Sequence, residues 1–129
     1  MARVAAGDFS SAERYSLDEA IRKAEQQSRA EFSLFVGTAE GDPRAFATQL
    51  HNSLVAPSRS ILIMVDPDAR ALEIVTGGYV RRTLTDQEVE LTALHMQSSF
   101  AEGDLVGGLK RGIAMLAEHA RPQNTLHAG

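Results

Sequence analysis

The chain has no cysteine and no tryptophan, and only 5% of its 129 residues are aromatic. The missing cysteines exclude together a disulfide scaffold, a thiolate zinc site, thiol redox chemistry and a cysteine nucleophile. Long apolar runs are also lacking; none approaches the roughly 20 residues that span a bilayer. The opening Met1-Ala2-Arg3-Val4 does not supply the apolar core of a secretory signal. The expectation is therefore a soluble, cytoplasmic protein with no direct membrane insertion. An excess of positive charge is absent too: the formal net charge is −4, which argues against nucleic acid as the main partner. No linker, repeat or low-complexity stretch is present. What remains is 43% hydrophobic and 23% charged residues, near globular averages, in a length suited to one domain. That domain is placed at residues 9–121, with 1–8 and 122–129 as flexible termini.

Hydrophobic periodicity gives the elements. Residues 11–29 read as a helix with Leu17, Ala20, Ile21 and Ala24 on one face. Ser10 with Glu13, and Ser16 with Glu19, both have capping-box spacing, so two starts are open. Residues 31–38 alternate as a strand through Phe32, Leu34 and Val36. Asp42-Pro43 opens a second helix that buries Phe46, Leu50 and Leu54. Ile61-Leu62-Ile63-Met64-Val65 is apolar throughout, as in a strand covered on both faces. Asp66-Pro67-Asp68-Ala69-Arg70 is turn chemistry, and residues 71–76 form a third strand. Five connecting residues allow only an antiparallel hairpin. The helix between the first two strands makes those two parallel. Residues 79–83 are a candidate edge strand. Thr85-Asp86-Gln87-Glu88 caps a third helix reaching about residue 100, and Asp104 starts a fourth. Leu105, Leu109, Ile113 and Leu116 line the fourth helix, and Gly108 with Gly112 offers a close approach to a neighbour. The fold class is α/β: a single domain, a mixed sheet with helices on both faces, in the order α-β-α-β-β-α-α.

Several of these stretches resemble the TPM domain family. The carrying residues are Leu17-Asp18-Glu19-Ala20-Ile21 with Glu25, the strand Phe32–Val36, Phe46-Ala47 with Leu50, the run Ile61–Val65, and Ile74-Val75-Thr76-Gly77-Gly78-Tyr79. They continue with Leu84-Thr85-Asp86, then Phe100-Ala101-Glu102-Gly103-Asp104-Leu105 and Gly108-Leu109. The match covers roughly residues 11–120. The ending, Pro122 with Thr125-Leu126-His127, is similar to that of a small actinobacterial branch of uncharacterised TPM-like proteins. The resemblance implies either of two roles. Some plant members are described as weak acid phosphatases with acidic, cation-binding sites; others are membrane-tethered accessory or repair factors. Arg59-Ser60 stands here where family members commonly carry Asn-Gly.

Ligands of α/β sheets favour the carboxyl ends of the parallel strands. Asp66 lies at that end of the central strand, Asp68 lies in the following turn, and the third helix returns the chain to the same edge at Asp104. Asp66, Asp68 and Asp104 are thus the candidate site for a hard divalent cation, Ca²⁺ or Mg²⁺, held through oxygen ligands. Turn and helix-capping roles explain the same residues without a ligand. Asp86 begins the third helix, so it should stand a helix length from Asp104, too far to share one phosphoryl group. Gly77-Gly78, with Arg81 and Arg82 nearby, reads either as an anion nest or as a turn needing positive φ. His51, His95, His119 and His127 have no metal-ligand spacing, and His95 reads as a core or interface residue. No catalytic residue is assigned. A protein partner is the leading expectation, because residues 91–101 carry no formal charge and the third helix is apolar on two sides. Leu91, Leu94 and Met96 are its candidate surface, and a cation-dependent acid phosphatase is the alternative.

Overall fold

In the computed structural model, which describes residues 3–6 and 9–122 and the side chains of 9–122, eight main elements follow one another. They are β1 (Arg3–Ala6), α1 (Ser11–Ser28), β2 (Glu31–Val36), α2 (Pro43–Asn52), β3 (Ser60–Asp66), β4 (Ala71–Thr76), α3 (Asp86–Ala101) and α4 (Leu105–His119). The last seven are those read from the sequence, in the expected order.

Local chemistry sets the boundaries. Ser10 accepts a hydrogen bond from the Glu13 N–H, while Glu13 receives the Ser10 N–H, so the earlier of the two capping boxes starts α1. Arg29 ends α1 in the left-handed region, at φ 63°. Asp42 caps α2 through the Ala45 N–H, and Pro43 takes the first helical position. Thr85 and Glu88 form a second capping box at α3, and Asp104 caps α4 through the Gly107 N–H.

The strands lie in the order β1-β2-β3-β4. The first three are parallel and β4 is antiparallel to β3, with Leu34 beside Ile63 and Ile63 beside Ile74. β3 is interior, and every one of its residues is buried. Two expectations need correction. Four residues of the stretch read as a flexible N-terminus, Arg3–Ala6, pair with β2 as a parallel edge strand. Their sequence is too short to show a period, so only the pairing reveals them. Residues 79–83 do not extend the sheet. Val80–Arg82 is a single 3-10 turn, because the Tyr79 N–H bonds to Ser58 O and the chain curls back on itself. Of the predicted C-terminal tail, residues 123–129 lie outside the described residues.

Alternation divides the sheet between two cores. Phe32, Leu34, Ile61, Ile63 and Ile74 face α1, α3 and α4, meeting Leu17, Ile21, Leu109 and Leu116. Leu62, Met64 and Val75 face α2, where Phe46 meets Phe35 edge-on at 5.4 Å. The glycine pair of α4 packs on α3. A Cβ at Gly112 would sit 2.3 Å from the Met96 sulfur, and one at Gly108 would sit 2.7 Å from the Phe100 ring. Among the described residues, no helix is long and apolar enough to cross a membrane.

Candidate functional site

The carboxyl end of β3 opens into a cleft of about 480 Å³ between the β3–β4 turn and the α3–α4 turn. Val65, Leu72, Phe100 and Leu105 form its apolar wall; Asp66, Arg70 and Gln97 are its polar members. The topology therefore brings the two predicted turns to one edge. It does not bring the three carboxylates together as ligands. Among the described residues, no group of three or more His, Asp or Glu side chains is placed to hold a metal ion.

Two of the three aspartates are already occupied, each by its own partners. Asp66 is buried. Its Oδ2 accepts the Ala39 N–H at 3.0 Å and its Oδ1 accepts the Ala69 N–H at 3.2 Å. These bonds, that of Ala39 foremost, hold its carboxyl below the usual range. The side chain thereby ties the loop after β2 to the hairpin turn. Asp68 is exposed and lines no part of the cleft. Asp104 pairs with Arg111 at 3.1 Å and caps α4 at 2.9 Å. Arg111 is the main reason its pKa is lowered, with the Gly107 N–H second. Asp86 sits in the first turn of α3, and the 16 residues of that helix separate it from the α3–α4 turn by about 24 Å.

Two of the histidines, His51 and His119, hold structure together. His51 is buried with Nε2 2.9 Å from Ser60 O. His119 Nδ1 lies 3.0 Å from Glu88, joining the end of α4 to the start of α3. His95 is exposed on α3, not in the core. His127 lies outside the described residues. Gly77 is explained by close approach rather than by positive φ. A Cβ there would sit 2.0 Å from Pro57 O, and its N–H already bonds to Ser60 O.

Of the three residues read as a partner surface, two are exposed to solvent. Leu91 is 54% exposed and Leu94 is 64% exposed. Met96 is 1% exposed and belongs to the core, since it fills the space that Gly112 leaves on α4. The outward stripe of α3 instead continues from Leu91 and Leu94 to Ser98 and Ala101, at spacings of three and four residues, all of them exposed. Gln97 and Ala101 also line the cleft, so stripe and cleft adjoin. The cleft members Arg70, Gln97 and Phe100 escaped the sequence reading. The signal that would find them is the uncharged end of α3 facing the Asp66-Pro67-Asp68 turn.

A family model described as a domain of unknown function, DUF5130, matches residues 3–117. An uncharacterised protein of Mycobacterium tuberculosis is 27% identical over 114 residues, which is 88% of this chain and 68% of that protein. The NMR structure of the BA42 protein from the psychrophilic bacterium Bizionia argentinensis is similar with a TM-score of 0.79 at 21% identity, over 88% of this chain and 82% of that one. The N-terminal domain of a P. gingivalis protein gives 0.75 at 17% identity, over 95% and 87%. The N-terminal domain of a Corynebacterium glutamicum protein gives 0.74 at 15% identity, over 92% and 78%. At these identities the solved structures show a shared fold.

Proposed function

The chain belongs to the DUF5130 family, and from that premise we propose that it is a non-catalytic protein-interaction module of the cytoplasm whose docking face is the outward side of α3. The carrying observation is the exposure of Leu91 and Leu94 within a stretch that has no formal charge. Covering a fully exposed leucine contributes roughly 1.5–3 kcal/mol. Each of these two is about half covered already, so a partner would gain part of that. Charge is depleted at the centre of protein interfaces, and residues 91–101 fit that pattern. The resemblance to the TPM domain adds members that serve as accessory factors.

The test is affinity capture with the full chain as bait, beside the Leu91→Gln/Leu94→Gln variant. A partner that is retained by the parent chain and lost by the variant is the expected result. Equal retention by both removes the face from the account.

A cation-dependent acid phosphatase is the second reading, and the cleft with Asp66 in its wall favours it. A cation there would have to displace the Ala39 and Ala69 N–H groups from the carboxylate. Titration with Ca²⁺ or Mg²⁺, followed by amide NMR shifts, separates the readings. Saturable shifts near residues 66 and 104 support the phosphatase; no localised shift at millimolar cation eliminates it.

A further inference from the structure

Arg59 and Arg82 converge on the ring of Tyr79, at the edge of the sheet opposite the Asp66 cleft. Their guanidinium carbons lie 4.5 Å and 5.2 Å from the ring centroid. The topology creates this meeting. Arg59 immediately precedes β3 and Arg82 follows β4, and antiparallel pairing sets Ile61 beside Thr76. The loops are then locked together. The Tyr79 N–H bonds to Ser58 O at 3.0 Å and lies 3.2 Å from Ser58 Oγ. Gly77 packs against the Pro57 and Ser58 carbonyls so tightly that no side chain fits there. Arg81 is folded inward, donating to Thr76 O.

Charge and geometry at this cluster point the same way. Arg22, Arg44, Arg111 and Arg121 each face a carboxylate. Arg59 and Arg82 have no such partner among the described residues, although the chain carries a net charge of −4. Two like charges are thus gathered beside one half-exposed ring, with no protein anion between them. Among the described residues the N–H forks of Arg59 and Arg82 donate to no protein acceptor, so they remain available to a ligand. Two such forks beside a phenol hydroxyl suit an anion with several acceptor oxygens and two negative charges, more than they suit a carboxylate, which one fork satisfies.

We propose that Arg59, Arg82 and the Tyr79 hydroxyl form a binding site for the dianion of phosphate or a phosphate monoester. The site shares no residue with the outward stripe of α3 or with the Asp66 cleft, so its failure would leave both readings above unaffected.

The test titrates the ¹⁵N-labelled full chain with inorganic phosphate at fixed ionic strength. Saturable amide shifts confined to residues 58–60 and 77–83 are expected. Arg59→Gln and Arg82→Gln should each weaken binding about tenfold or more, the loss of one charged hydrogen bond. Arg70→Gln, at the other edge, should leave it unchanged. Tyr79→Phe keeps the ring and removes the hydroxyl, so a smaller loss is expected there. Phosphoserine and a phosphoserine peptide form the second arm. Tighter binding of the peptide assigns the group to a protein, and equal binding of all three assigns a free phosphate. The proposal is overturned if chloride at matched ionic strength gives the same shifts, if none saturates, or if the double arginine variant, still dispersed in its spectrum, binds like the parent.

Discussion

Helices α3 and α4 have 16 and 15 residues and lie against each other, yet they place their apolar side chains differently. α4 buries Gly108, Leu109, Gly112, Ile113, Leu116 and Ala117 in one stripe. α3 buries only Thr92 and Met96 and leaves Leu91 and Leu94 in solvent. The difference separates residues the fold requires from residues it does not. α4 sits between α1 and α3, so its buried stripe, glycines included, is covered by both neighbours and the sheet. α3 has α4 and the end of the sheet on its inner side, and among the described residues its second apolar side stays more than half exposed at Leu91 and Leu94.

The comparison breaks first in the core. Leu109→Ala should cost about 2–5 kcal/mol, the usual penalty for a buried leucine cut back to a methyl, measured by urea unfolding. A cost as small as that of a surface change would mean that α4 is not the organising helix. Next comes the contact between the two helices. Gly112→Ala gains about 1 kcal/mol in helix propensity, but its methyl meets the Met96 side chain at 2.3 Å. Overpacking of that kind costs about 1–3 kcal/mol, so a net loss smaller than that of Leu109→Ala is expected. Repeating the change in a Met96→Ala background should turn the loss into a gain, and a double-mutant cycle reads that coupling directly.

Acid should loosen the same helix pair. Glu88 receives the Thr85 N–H and faces His119, and these contacts, the Thr85 N–H above all, hold its pKa below the ordinary 4.5. A carboxylate depressed in the folded state stabilises fully above its unfolded value, and the benefit is lost as pH falls through the folded one. Asp66 and Asp104 are depressed as well and act in the same direction. Thermal midpoints should therefore fall from about pH 4.5 downward, less steeply in Glu88→Gln than in the parent chain. The smallest effect belongs to the outward stripe. Leu91→Gln and Leu94→Gln should each change stability by no more than about 0.5 kcal/mol, as exposed substitutions do.

Much of this architecture could be read before any coordinates. The all-apolar run at Met64 marks an interior strand, the five-residue connection fixes the hairpin, and Asp42, Thr85 and Asp104 mark helix starts, while for the first helix the pattern leaves Ser10 and Ser16 open and the structure selects Ser10. Such signals are local, and local chemistry reads well. β1 was missed because four residues cannot show a period and parallel pairing leaves no turn signature. Met96 was misplaced because periodicity shows that a helix has two apolar sides without showing which one its neighbour covers. Among the described residues the three aspartates of the candidate site do not form one metal-holding group. Sequence order places Asp66 and Asp104 near one cleft, but the direction of a carboxylate depends on Ala39, 27 residues before Asp66, and on Arg111, further along α4. Arg59 and Tyr79 are 20 positions apart, and only hairpin pairing makes them neighbours.

Val55 offers the sharpest control for the central claim, because at 99% exposed it is the barest large apolar side chain described and lies far from α3 in sequence. A photo-crosslinking residue placed at position 94, and separately at position 55, would report which surface touches another protein in the cell. A discrete adduct from position 94 and none from position 55 is expected. Adducts of equal yield from both, or one from position 55 alone, would contradict the claim.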